Sequence, residues 1–244
     1  MSENEPEKPQ KGWGCLEWSV VLVVLALVVY NFVPSYGLIT ARALQMKGSS
    51  NARQITGLLL TYASDYDGNY PDFGKDLSKL TSNHAFRDLV KEGLVQDETI
   101  FSCPGSPFTC DKDVGLAPDY AKALTPGENH WMLVAGLQNN SPAHYPVVME
   151  NAVDATWPPR WMPYPSYIAR KLASIRGDKR EPPSRGRSWE NNAIIIAFND
   201  ASVQAVEMDF KDDRLHLPAS ILKPEGKEPL PTLKILDVEV PLPK

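Results

Sequence analysis

The chain has little of what most chemistry needs. Only three cysteines and four histidines occur in 244 residues. The histidines, His84, His130, His144 and His216, are scattered, and isolated histidines are more often surface or satisfied core groups than catalytic bases. The sequence contains no Gly-x-Ser-x-Gly elbow, P-loop, dinucleotide fingerprint or His-Glu-x-x-His pair, which removes the common hydrolase, nucleotide and zinc-protease signatures. No second cysteine pair or spaced histidine pair accompanies Cys103 and Cys110, so a zinc site is not expected, nor is a cofactor. A net charge of -5 gives no basic field for nucleic acid. The locally basic stretch from Lys171 to Arg187 is broken by Pro182 and Pro183 and reads as a solvated loop.

What the chain does have is concentrated near its start. Residues 1–12 are polar and contain proline, and read as a disordered leader or tail. An uncharged run, Trp18 to Val33, follows Gly12-Trp13-Gly14-Cys15-Leu16-Glu17. At about 1.5 Å per residue, Trp13 to Val33 covers roughly 30 Å, the hydrocarbon thickness of a bilayer, which predicts a membrane-embedded helix over 13–36. Signal peptidase is a poor reading, because Asn31-Phe32-Val33-Pro34-Ser35-Tyr36 offers no small-residue cut. A lipoprotein signal fails too, since Cys15 precedes the apolar run.

Pro34 lacks an N–H and should kink the helix. Helical spacing resumes from Leu38, with Ile55, Leu58, Leu59, Tyr62 and Ala63 on one stripe, and Asp67-Gly68-Asn69 before Pro71 is a stop. An amphipathic half over 37–67 is expected, then a soluble α+β domain over 68–216 and a proline-rich tail over 217–244 wrapping the surface. Asn83 can cap a short helix ending at Gly93, and Ser166 another ending at Gly177. Strands are predicted at Trp131 to Leu137, Tyr145 to Glu150, Ala193 to Phe198 and Val203 to Phe210, the last two joined by an Asn199-Asp200-Ala201-Ser202 turn. On the final arm Val206, Met208 and Phe210 should point inward.

Two further patterns bear on sites. In an oxidising compartment Cys103 and Cys110 can close a short disulfide loop, and two free buried thiols are the other reading. Asp65, Asp67 and Asn69, with Asp76 beyond, alternate like calcium ligands, but Tyr70 holds the position where such a loop needs glycine, so a helix-ending turn is favoured. Asp209, Asp212 and Asp213 form a second acidic cluster. The stretch from Thr156 through Trp157, Trp161 and Tyr164 to Tyr167 is the best candidate recognition surface, with a proline-rich segment packed on the sheet as the equal reading.

Read together, these residues resemble the bacterial type IV pilin and type II secretion pseudopilin family. Gly12 matches the prepilin glycine, Trp13 the aromatic residue after the cut, Glu17 the glutamate, and Pro34 the common kink. The segment from Asn51, Gln54 and Gly57 through Tyr62, Asp65 and Asp67-Gly68 to Pro71 looks like the second half of the helix in a large group of prepilin-type proteins. Phe101-Ser102-Cys103-Pro104 and Ala197 to Val203 resemble later landmarks of that group.

The resemblance implies a long N-terminal helix, its first half in the membrane, packed on an antiparallel sheet domain. It also implies cleavage between Gly12 and Trp13 by a prepilin peptidase, with methylation of the new terminus, and assembly with other pilin-like subunits through Glu17. Such a protein sits in the bacterial inner membrane, single-pass, its domain in the periplasm or outside, and is not an enzyme. Independently of family, a carboxylate at the edge of hydrocarbon is costly, and an ammonium on a neighbouring subunit would neutralise it; on spacing alone, an interfacial Glu17 that simply reaches the headgroups is the equal reading. The alternative is an unprocessed, signal-anchored envelope protein that binds partners as a monomer through the aromatic loop.

Overall fold

A computed structural model describes residues 14–165 and 184–241, and within the first helix the side chains of 18–27 and 39–65. That helix, α1, runs Cys15–Asp65 and includes Pro34. It stops where Asp67 and Gly68 take φ of 52° and 83°, and the Gly68 N–H closes on the Ala63 carbonyl at 2.7 Å. A left-handed pair cannot continue the helix, and it satisfies a carbonyl of the last turn. The chain divides into two compact units, Met1–Arg42 and Ala43–Lys244.

In the first unit Trp18, Val20, Val21, Leu22, Val23, Val24, Leu25 and Leu27 are 39–61% exposed. The expected membrane-embedded half does not survive: among the described residues no helix is long and apolar enough to cross a membrane. The apolar side chains described there run from Trp18 to Leu27, about 15 Å of helix at about 1.5 Å per residue. Residues 39–65 carry Arg42, Lys47, Arg53 and Asp65. The expectation of a helix embedded over its first half is therefore corrected to an α+β fold whose first helix shows an exposed apolar stretch at 18–27.

In the second unit the helical stripe is covered. Ala52, Ile55, Leu59 and Ala63 are fully buried, with Leu58 and Tyr62 partly so. Gly48 continues the stripe at a point of close approach, where a Cβ would lie 2.8 Å from Ile195 Cδ1 and 2.9 Å from Cys103 Sγ. A second helix, α2 (Ser82–Lys91), is capped by Thr81, whose hydroxyl accepts from the His84 N–H. The expected cap, Asn83, instead sits in the core and donates to the Leu124 carbonyl.

The main sheet is antiparallel, built from β1 (Trp131–Ala135), β2 (Pro146–Glu150), β4 (Ala193–Phe198), β5 (Val203–Glu207) and β8 (Lys234–Leu236), in the order β5-β4-β2-β1-β8. Strands β1, β2 and β4 are buried at every position, as their unbroken apolar runs require. A small sheet, β3-β7-β6, joins β3 (Arg160–Trp161), β6 (Asp209–Lys211) and β7 (Arg214–His216). A short helix, α3 (Ala219–Leu222), precedes β8.

Two expectations change here. The arm predicted over Val203 to Phe210 is two strands: Met208 is buried and donates to the Asn192 carbonyl, while Phe210 is 61% exposed. After the break at Met208 the second strand joins another sheet, since Asp212 and Asp213 take φ of 50° and 58° and fold β6 back onto β7. The proline-rich tail does more than lie on the surface. It buries Leu217, Ile221, Ile235, Leu236 and Val238 and supplies β8 beside β1. Beyond β8 the Ser82 and Gly127 N–H groups donate to the carbonyls of Asp237 and Glu239, both at 2.9 Å. Thr81, His84 and Arg87 hold the Glu239 carboxylate at 2.7–3.1 Å. The helix expected from Ser166 to Gly177 lies outside the described residues.

Candidate functional site

The densest polar constellation in the core surrounds Glu150, the last residue of β2 and 3% exposed. Pairing of β2 with β4 shifts register between Pro146 and Val148 and ends at Met149 opposite Ile196. The Ile195 N–H, beyond that pair, donates to Glu150 Oε2 at 2.9 Å. Trp189 Nε1 donates to both carboxylate oxygens, at 3.0 and 3.1 Å. Cys103 Sγ lies 3.7 Å and His130 Nε2 3.2 Å from Oε1. Four donors thus converge on one buried carboxylate, which is how a protein interior tolerates a charge.

The proton on His130 can be placed from its neighbours. The Asn151 amide is fixed at both ends: Oδ1 accepts from the Gly186 N–H at 2.7 Å, and Nδ2 donates to the His130 carbonyl at 3.1 Å. That orientation aims Nδ2 at His130 Nδ1, 2.8 Å away, with Ser106 Oγ 2.7 Å from the same nitrogen. Nδ1 is therefore an acceptor, and the proton sits on Nε2, facing Glu150. Burial, then the Glu150 charge, push the Cys103 thiol well above its ordinary value, so it stays an S–H donor and a poor nucleophile.

The ligand atoms of Cys103, His130 and Glu150 all lie within 4.8 Å of one another, a spacing and donor set that could hold a zinc-like ion. The proton arrangement opposes it. A metal needs the Nε2 lone pair and an Nδ1–H with an acceptor, whereas here Nδ1 faces the Asn151 amide donor. Glu150 acts instead as a hub that ties the Cys103 loop, β1, β4 and Trp189 to the end of β2.

A second acidic group, Glu98, Asp111 and Glu128, organises the long loop between Cys103 and Asn129. Fully buried Glu98 accepts from the Lys112 and Leu124 N–H groups, both at 3.1 Å. Glu128 accepts from the N–H groups of Asp111 (3.3 Å) and Thr125 (2.5 Å) and from the Thr125 hydroxyl (2.8 Å). Burial pushes the Glu98 carboxyl up, against the pull of the Leu124 N–H. These carboxylates replace the ladder bonds that an irregular loop lacks.

The residues singled out from sequence meet different fates. Gly12 and Trp13 lie outside the described residues; Glu17 and Pro34 fall within α1, outside its described side chains. Cys103 and Cys110 are both free thiols, the first buried at the Glu150 hub, the second half-buried. Asn69 accepts from Gln138 Nε2 at 2.6 Å, and Tyr70 is buried with its hydroxyl donating to Asn199 Oδ1 at 2.6 Å, so the acidic turn after α1 docks on the β1–β2 connection. The aromatic stretch splits: Trp161 is fully buried and donates to the Glu150 carbonyl, whereas Trp157 is partly buried. Ala155, Thr156 and Trp157 face Thr232–Ile235 and Asp237 across a shallow cleft of about 430 Å³. Glu150, Asn151, Trp189 and Glu98 carried no sequence signal, because their partners lie 14 to 47 residues away along the chain.

No known family model, curated protein or solved structure matches this chain.

Proposed function

We propose that the chain is a prepilin-type subunit that acts by assembly, joining other pilin-like subunits into a pilus or secretion pseudopilus through its N-terminal helix. One observation carries this reading: the apolar helical stretch Trp18–Leu27 is exposed on every side. Ten successive residues at about 100° each go more than twice round the helix, and only Ser19 and the small Ala26 interrupt large apolar side chains. A helix apolar all round has no face suited to water, so it belongs inside a bundle of like helices. Glu17, at the start of that stretch, would take the ammonium freed by a cut after Gly12 on a neighbour. In this reading a prepilin peptidase makes the cut in the bacterial envelope, and the sheet domain faces the periplasm or the exterior.

The test is the mature N-terminus together with the state of assembly. Mass spectrometry should find Trp13 first, and Glu17→Val should abolish cross-linked oligomers while leaving the domain's thermal melt unchanged. An intact Met1 on a solitary chain overturns the proposal. That result would favour the second reading, a monomeric binding module, which the cleft beside Trp157 supports.

A further inference from the structure

Among the described residues the outer edge of β5 is open. In β4–β5 the residues paired across the ladder run from Ala193 opposite Glu207 to Ala197 opposite Val203. The flanking bonds fix which pairs exchange hydrogen bonds: Phe198 N–H donates to the Ser202 carbonyl at 2.9 Å, and Met208 N–H to the Asn192 carbonyl at 3.2 Å. Hydrogen-bonded pairs alternate in an antiparallel ladder, so Gln204 and Val206 face β4 with their main-chain groups. The N–H and C=O groups of Val203, Ala205 and Glu207 point the other way, and β5 is the last strand of its sheet. Among the described residues they have no partner.

Most sheets blunt such an edge by burying or covering it. Here Gln204, Ala205 and Glu207 are exposed, and the chain continues into β6, itself an edge strand, where Phe210 stands 61% exposed. The charge along this edge has a pattern. Asp200 stands at one end and Glu207 and Asp209 at the other, with the uncharged run Val203-Gln204-Ala205-Val206 between them.

We propose that the β5 edge is a docking site for an extended polypeptide segment of another protein, with lysine or arginine at both ends of a short uncharged stretch. The segment would add a sixth strand to the main sheet. Main-chain bonds to Val203, Ala205 and Glu207 supply the pairing, and the acidic ends select basic flanks. A second copy of this chain is the poorer occupant. Antiparallel self-pairing about Ala205 would set Asp209 opposite Ala201 of that copy, so each end of the seam would gather Asp200 from one chain with Glu207 and Asp209 from the other, three acids against Lys211 and the Lys227 that acts on Asp200. Like charges facing across a strand pair destabilise it. The inference is independent of the filament reading, since it concerns the sheet domain alone.

The experiment uses the full chain and a fluorescein-labelled peptide, KRTVTVTRK, read by anisotropy. Saturable binding is expected, with about tenfold or greater loss for the acid-flanked peptide EDTVTVTDE. Ala205→Pro should cause a similar loss while preserving the thermal melt, because the N–H it removes faces away from β4. The double variant Glu207→Lys/Asp209→Lys, which changes only exposed side chains, should reverse the preference between the two peptides. Absence of saturable binding, equal affinity for both peptides, or insensitivity to all these substitutions overturns the proposal. So does self-association that Ala205→Pro abolishes, which would assign the edge to a second copy.

Discussion

Two stretches of α1 use similar residues to opposite ends. Between Trp18 and Leu27 the large apolar side chains are 39–61% exposed, whereas Ala52, Ile55, Leu59 and Ala63 are at 0%. The difference lies in the pattern. The second stretch alternates its stripe with Arg53, Gln54 and Thr61, so it has a face for water and a face for the sheet. The first has no polar face. An amphipathic helix can be completed by its own chain; a uniformly apolar one needs neighbours.

Substitutions on the covered side should break this contrast most visibly. The largest effect is expected at Gly186, where φ is 69° and a Cβ would lie 2.3 Å from the Val153 nitrogen. Gly186→Ala should lose about 4 kcal/mol or more in urea unfolding, since backbone must move to admit it. Leu59→Ala should cost about 3 kcal/mol by the same measurement, the usual toll of a cavity under a fully buried leucine.

Asp72 sharpens the contrast through pH. It is 2% exposed, Oδ2 accepts from the Gly136 N–H at 2.7 Å, and Oδ1 has no partner. Burial raises its carboxyl above the ordinary value, against the Gly136 hydrogen bond. The native state thus holds a proton that the unfolded chain releases near its ordinary value of 3.8, so this residue's contribution to stability falls as pH climbs from there through the raised native value. Asp72→Asn should flatten that slope and add about 1 kcal/mol at pH 7, seen in melts recorded across pH. Ala201, in the β4–β5 turn at φ 60°, should accept glycine with a gain of about 0.5 kcal/mol, readable as a rise in melting temperature. On the uncovered side Leu22→Ser should change the melt of the sheet domain by less than about 0.5 kcal/mol. Its effect should appear only in cross-linking of oligomers.

The sequence made some of this legible. β4 falls at Ala193–Phe198 as its apolar run predicts, and the end of α1 was written in Asp67-Gly68. Strand β8 was hidden because three residues between prolines carry no period, and their neighbour β1 is about a hundred residues earlier in the chain. The Glu150 hub was invisible for the same reason: Cys103, His130, Glu150 and Trp189 meet only once the sheet exists. Phe210 misled because strand alternation assumes an unbroken strand, whereas the strand ends at Glu207 and Phe210 belongs to β6 of the small sheet. The membrane expectation rested on counting Trp13 to Val33 as one span, and among the described residues no helix is long and apolar enough to cross a membrane.

The insertion of β8 against β1 sets a schedule for biogenesis. The central sheet cannot be finished until residues near Leu236 have left the ribosome, so a nascent chain emerging from its N-terminus must wait with β1 unpaired on one side. Until then the free side of β1 is an unsatisfied strand edge, and any truncation before Lys234 leaves it so permanently.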